Sequence, residues 1–271
     1  MQAQIIFLGT AGDSFVLSKQ DRVAGGFIVQ TENAQLHINP GPGAFLAAAL
    51  AKIQIQKTTA VIVTDNTFIH THDVPALIEA MTLGTFDAKG LLLAPKSALE
   101  EIDPKNPPRI QKRYQEAVEK TIMLQEETRV ECNEIQIQTV KIKNSDPTAV
   151  GIKIITKDFS LGYTGKTKYT AKLKDAFNDV EIMIMELSLL TEEKKEDGLC
   201  LEEVKKLIEE IKPQLAVLTG FGISIMKEDI LELTRALYKQ TGVQVIAAKE
   251  GFSFDPTNYA VKLRQKRLNG F

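Results

Sequence analysis

The same succession of elements is written twice along this chain, and the repetition leaves few architectures open. In the first half Gln4–Leu8, Gly26–Gln30 and Ala34–Ile38 read as strands, the last two joined by Thr31-Glu-Asn33, a turn-forming set that predicts an antiparallel hairpin. Asn39-Pro-Gly-Pro-Gly43 breaks the strand and leads into an alanine-rich helix from Ala44 to about Ile53, and Thr59–Thr64 is a further β-branched strand. Asp73 is placed to cap the helix Pro75–Met81, because its carboxylate can accept the free amide hydrogens of a first turn. After the loop Asp103–Pro108 a helix is expected to about Lys120. The second half repeats the plan: Glu134–Lys143, Ala149–Thr156 and Phe159–Tyr163 are strand candidates, with Thr156-Lys-Asp158 as a second hairpin turn. Val180–Met185, Leu215–Thr219 and Val243–Ala247 follow as short apolar runs of buried-strand type. Among them Leu201, Val204, Leu207, Ile208 and Ile211 recur at helical spacing, a stripe that belongs to the core. Strand-rich and helix-alternating segments in each half predict two sheets face to face with helices outside, an α/β fold built as a four-layer αββα sandwich. No stretch reads as an interdomain linker, so residues 1–271 are expected to form a single domain.

With 271 residues, 44% of them hydrophobic, the chain can bury a large core, and its formal charge of -2 gives no electrostatic reason to expect nucleic acid or an acidic membrane as partner. The longest apolar run, Ala44–Ala51, is far too short to span a bilayer and no basic-then-apolar leader is present, so a cytoplasmic location is expected. Cys132 and Cys200 stand far apart and outside any metal spacing, and are expected as reduced thiols. Gly9–Ser14 follows a strand but lacks the lysine and spacing of a phosphate loop, and neither Ser14 nor Ser188 has a neighbouring histidine. The basic run Lys262–Arg267 and the mixed run Glu192–Asp197 read as solvated surface.

Several landmarks together resemble the metallo-β-lactamase superfamily, in particular its RNase Z-like and phosphodiesterase-like hydrolases. They are Ile5-Ile-Phe-Leu-Gly-Thr10, Gly25-Gly-Phe-Ile28, Leu36-His-Ile-Asn-Pro-Gly-Pro-Gly43, Val61-Ile-Val-Thr64 with the helix Asp73–Met81 after it, Gly162-Tyr-Thr164 and Pro213–Thr219, and they span most of the chain. The resemblance implies one or two metal ions, usually zinc, held by imidazoles and carboxylates at strand ends, with a bound water activated to attack an ester or phosphodiester. Laid along this sequence, the ligand pattern has been exchanged. Asn39 stands for the aspartate of Asp-Pro-Gly, and the His-x-His-x-Asp-His motif falls on Asp65, Thr67, Ile69 and His70. Asn144 stands at the next histidine, Lys166 at the bridging aspartate and Gly220 at the last histidine. His70 alone survives, and three histidines in the whole chain do not populate a binuclear site.

These substitutions lead to the expectation of no metal and no cofactor, with zinc as the alternative. An inward-pointing Lys166 would place an ammonium where metal charge sits in the family, with Asp65 as its natural counter-ion, and His72 reads as an exposed loop residue. The favoured function is a non-catalytic pseudoenzyme serving as a binding or assembly module. Its ligand would be a small anion or polar molecule in a cleft lined by Asp65, Thr67, His70, Asn144 and Lys166, a partner protein, or a second copy in a homo-oligomer. The alternative is a hydrolase of phosphodiesters or other small esters. It would use a mononuclear site of His70, His72 and the nearby Asp65, Asp73 and Asp146, or no metal at all, with His70 as base and Lys166 stabilising an oxyanion. A nucleic-acid module rests on fold analogy alone and is not expected.

Overall fold

A computed structural model describes residues 3–192 and 197–260. The first half supplies β1 (Gln4–Phe7), β2 (Phe27–Gln30), β3 (Gln35–Ile38), β4 (Ala60–Ile62), β5 (Leu91–Pro95) and β6 (Lys120–Leu124). The second supplies β7 (Arg129–Cys132), β8 (Ile135–Lys141), β9 (Val150–Ile155), β10 (Ser160–Tyr163), β11 (Ile182–Leu189), β12 (Leu199–Cys200), β13 (Leu215–Thr219) and β14 (Gln244–Ala247). A last strand, β15 (Ser253–Phe254), returns to the first sheet, whose order is β15-β1-β2-β3-β4-β5-β6. The second sheet runs β14-β13-β11-β10-β9-β8-β7, with β12 against β11.

Side-chain parity explains the layering, since successive residues of a strand face opposite sides. In β1, Ile5 and Phe7 enter the core between the sheets, whereas Ile6 and Leu8 pack outward with Ala48 of α2 (Ala44–Leu50). In β11, Ile182 and Ile184 point to the inter-sheet core and Met183, Met185 and Leu187 point outward. There they meet Leu173 of α7 (Lys172–Ala176), Val204, Leu207, Ile208 and Ile211 of α8 (Leu201–Ile211), and Leu237 of α9 (Ile230–Thr241). On the outer face of the first sheet Val61, Val63, Leu92 and Ala94 are covered by α4 (Val74–Met81), α5 (Lys96–Leu99) and α6 (Lys112–Ala117). The shorter α1 (Ser14–Ser18) and α3 (Phe68–Thr71) sit in the loops at one end of the sandwich. The expected αββα arrangement is the observed one.

Several local expectations are corrected. The helix from Ala44 ends at Leu50, and Lys52 beyond it takes a left-handed φ of 58° that no helix continues. The helix expected up to Lys120 stops at Ala117, and Lys120 opens β6, paired in parallel with β5. Asp73 does not cap its own helix, because its backbone (φ -91°, ψ 3°) is not the extended Ncap conformation. Its Oδ2 instead accepts the amide of Phe45 in the first turn of α2 at 3.0 Å, and its Oδ1 meets His72 Nδ1 at 2.9 Å. The two expected hairpins form as antiparallel β2–β3 and β9–β10, and Cys132 and Cys200 are buried free thiols. Among the described residues no helix is long and apolar enough to cross a membrane. The run Lys262–Arg267 and the centre of Glu192–Asp197 lie outside the described residues.

Candidate functional site

In each sheet the strands nearest the site run parallel, β3 with β4 and β10 with β11 and β13, so their C-terminal ends deliver side chains to one edge of the sandwich. Asn39 follows β3, Thr64 and Asp65 follow β4, Tyr163 ends β10, Glu186 lies late in β11 and Gly220 follows β13. Glu186 continues the inward parity of Ile182 and Ile184, which puts a carboxylate on the core side of a strand that is buried throughout.

His70, 6% exposed and carried on α3, is the hub. Its Nδ1 lies 2.7 Å from Asp65 Oδ2 and its Nε2 lies 3.1 Å from Glu186 Oε1. The Tyr163 hydroxyl donates a short hydrogen bond to the same Glu186 oxygen and accepts one from Asn39 Nδ2 at 2.9 Å. Asn39, in the left-handed region with φ 51°, also donates to Thr64 Oγ1 at 2.7 Å and accepts the Thr64 amide at 2.8 Å. Asp65 Oδ1 accepts the Thr67 amide at 2.8 Å and the Thr67 hydroxyl. Glu186 Oε2 is buried with no hydrogen-bond partner among the described residues.

Burial alone would push the His70 imidazole down, but the Asp65 and Glu186 carboxylates and their hydrogen bonds outweigh it and hold its pKa up at about 10. Burial likewise works to raise Asp65, and the His70 charge with the bonds from His70 and Thr67 brings it below the ordinary carboxylate value. Tyr163 is pushed well above the ordinary phenol range, first by burial and then by the Glu186 charge. These shifts favour a protonated His70 ring against Asp65, with a neutral Tyr163 phenol nearby. His37, buried in β3 away from this site, is driven by desolvation to about 3 and is a neutral core residue.

The structure ties Asp65, Thr67 and His70 into one hydrogen-bonded cluster and brings His70 and Gly220 to the lining of one small chamber, which Lys166 does not join. The expected Lys166–Asp65 pair does not form: Lys166 Nζ lies 3.3 Å from the Gly12 carbonyl oxygen, while Asp65 is fully engaged by the closer His70 ring and Thr67. Asn144 serves its own loop, donating to the Lys166 carbonyl at 2.6 Å and accepting the Asp146 amide at 2.7 Å. Ile69 is 4% exposed and packs with Ala11, Val16 and Ala24. His72 is exposed as expected, its side chain 53% accessible and turned to Asp73. Asp146 accepts Ser97 Oγ at 2.6 Å and the Asn66 amide at 3.1 Å, so it stands outside the cluster. The sequence reading missed Glu186 as a site residue, and treated Tyr163 only as a family landmark. The signal was there: one charged residue at an inward position of Ile182-Met-Ile-Met-Glu-Leu-Ser-Leu189.

The chamber is narrowed by the segment after β1. Ala11 bridges to Phe221, the Gly12 amide donates to Phe221 O at 2.9 Å, and Asp13 Oδ2 accepts the Ile223 amide at 2.8 Å. The segment lies so close that a Cβ on Gly12 would fall 2.0 Å from the Gly220 carbonyl oxygen. What remains beneath is about 20 Å³, lined by Thr10, Ile69, His70, Tyr163, Glu186, Gly220 and their neighbours, room for about one water. The small anion expected in this cleft has no space there, and it would face the Glu186 carboxylate.

The metal centre implied by the resemblance does not fit these residues. Both nitrogens of the one surviving histidine are taken by carboxylates, so neither offers a lone pair. At position 220 a ligand side chain is disfavoured by a left-handed φ of 60° and blocked by Glu186, whose Cγ would lie 2.6 Å from an added Cβ. Among the described residues no group of three or more His, Cys, Asp or Glu side chains is placed to hold a metal ion.

Comparison with known proteins agrees with this fold. Over 260 residues the chain is 26% identical to the uncharacterized protein MJ1374 of Methanocaldococcus jannaschii, covering 95% of this chain and 97% of that one. Among solved structures, the metallo-β-lactamase fold protein YhfI of Bacillus subtilis superposes with a TM-score of 0.76 at 16% identity, over 94% of this chain and 99% of that one. The short form of human tRNase Z superposes with a TM-score of 0.67 at 14% identity, over 93% and 99% of the two chains. Residues 35–221 match the model of the β-lactamase superfamily domain. The chain therefore belongs to the β-lactamase superfamily and carries its metallo-β-lactamase fold.

Proposed function

We propose that this chain is a non-hydrolytic member of its superfamily, a pseudoenzyme that uses the sandwich as a binding or assembly module. One observation carries the reading: the chamber at the strand ends is narrowed by Thr10 and Ala11 and occupied by the hydrogen-bonded His70, Glu186 and Tyr163 side chains, with Asp65 behind His70, leaving about 20 Å³. Hydrolysis needs a nucleophile, a group to activate it and space for the reacting atoms. Here the histidine that would serve as base carries protons on both nitrogens, and no substrate carbonyl or phosphoryl group has room beside it. Contacts with a partner, or with a second copy, then fall to the outer surface.

The superfamily is rich in hydrolases, as the human tRNase Z among the structural neighbours shows by its name, so the test is enzymatic. Untagged protein is incubated with phosphodiester, ester and lactone substrates, with and without added zinc or manganese. The expected result is turnover at the level of buffer, unchanged in His70→Ala. Turnover that is lost in His70→Ala would replace this reading with the hydrolase one.

A further inference from the structure

We propose that the His70 imidazolium, clamped between Asp65 and Glu186, does the mechanical work of the metal ion that the superfamily's frame implies: it is a cationic bridge tying the two sheets together at their strand ends.

Geometry sets the charge. A carboxylate oxygen only accepts hydrogen bonds, and both ring nitrogens face one, at 2.7 Å to Asp65 Oδ2 and 3.1 Å to Glu186 Oε1. Each nitrogen must then donate, which only the doubly protonated ring can do. The two acceptors come from opposite sheets, Asp65 from the end of β4 and Glu186 from β11. A second cross-sheet link runs beside it, from Asn39 after β3 to the Tyr163 hydroxyl at the end of β10. No lysine or arginine lines the chamber, so His70 is its one cation among the described residues. Lys166, the rival for that place, is turned to the Gly12 carbonyl. Residue 220 has surrendered its side chain, and the Glu186 side chain fills that space. The bare glycine at 220 is thus what leaves room for the carboxylate partner of His70.

The bridge rests on the same narrow chamber as the non-hydrolytic reading, but the two fail separately. The direct test on the unaltered protein is ¹⁵N NMR of the ring nitrogens at neutral pH. His70 is expected to show two protonated, imidazolium-type nitrogens, and a ring with one bare nitrogen at pH 7.5 would overturn the bridge. The second test is a cycle of His70→Gln, Glu186→Gln and the double variant, followed by thermal unfolding. Removing His70 leaves the Asp65 and Glu186 carboxylates buried without their cation, so His70→Gln should lower Tm by on the order of 10 °C, whereas Glu186→Gln, which leaves the ring paired with Asp65, should lower it by less. The double variant should lose clearly less than the sum, because Glu186 no longer needs a counter-ion. Additive losses would refute the bridge while leaving the hydrolysis result untouched. Substrate turnover with an intact NMR signature would refute only the non-hydrolytic reading.

Discussion

Gly220→Ala is the sharpest perturbation of this site, because the structure separates its two costs. The first is backbone strain, since Gly220 has φ 60° and an L-residue there loses about 1–2 kcal/mol. The second is crowding: the new Cβ would stand 2.6 Å from Glu186 Cγ and 2.8 Å from its Cβ, inside a packed interior where overfilling costs about 1–3 kcal/mol. Together these predict a loss of about 2–5 kcal/mol, a fall in Tm on the order of 10 °C for a chain of this size. Gly242→Ala is the matched control. Gly242 has φ 70° at the end of α9 but nothing within 4 Å of an added Cβ, so it bears the backbone cost alone, about 1 kcal/mol. The assay is urea unfolding of both variants, each in wild-type and Glu186→Ala backgrounds. Glu186→Ala removes the Cγ and Cδ contacts and leaves only the one to Cβ, so the cost of Gly220→Ala should fall part of the way towards that of Gly242→Ala, a coupling of about 1–2 kcal/mol. Equal costs at the two glycines, or a Gly220→Ala cost indifferent to Glu186, would refute the claim that Glu186 fills the place of the side chain at 220.

Stability should peak near pH 6.5. His70, raised from 6.5 to about 10, contributes stability that is complete below 6.5 and is lost as pH rises towards 10, at up to about 1.4 kcal/mol per pH unit. His37, lowered to about 3, acts in the opposite sense, its contribution present above 6.5 and lost as pH falls towards 3, with Asp65 adding to the acid-side loss below its ordinary 3.8. Urea midpoints across pH 4–10 check both limbs, and a flat alkaline limb would contradict the protonated His70. Lys166→Ala removes only the contact with the Gly12 carbonyl and should change stability by less than about 1 kcal/mol. A loss of several kcal/mol would restore Lys166 as the buried counter-ion of Asp65.

Much of the fold was legible because local chemistry and tertiary demand agree. Thr31-Glu-Asn33 and Thr156-Lys-Asp158 are turn chemistry between strands, and both hairpins form. Disagreement came where two elements compete for one stretch. The helix expected after Pro108 was carried to about Lys120, but it ends at Ala117 and parallel pairing with Leu91–Pro95 takes Lys120–Leu124 as a strand. The site was half legible. The resemblance implied that Thr67, Ile69, Asn144, Lys166 and Gly220 stand at the family's ligand positions, with His70 the one match. What replaces the ligands was not legible, because Asp65 and Glu186 are 121 positions apart and meet His70 only through the packing of opposite sheets. Asp65 seemed to need a distant lysine, while a histidine five residues on, brought back by the turn of α3, already met that need.

The most direct test of the account is metal content combined with diffraction. Untagged protein produced in zinc-supplemented medium is analysed for bound transition metals, and its crystals are soaked in zinc and measured at the zinc absorption edge. The account predicts well under one ion per chain and no anomalous peak between His70, Asp65 and Glu186. One or two ions per chain, with a peak within bonding distance of His70 Nε2, would contradict it.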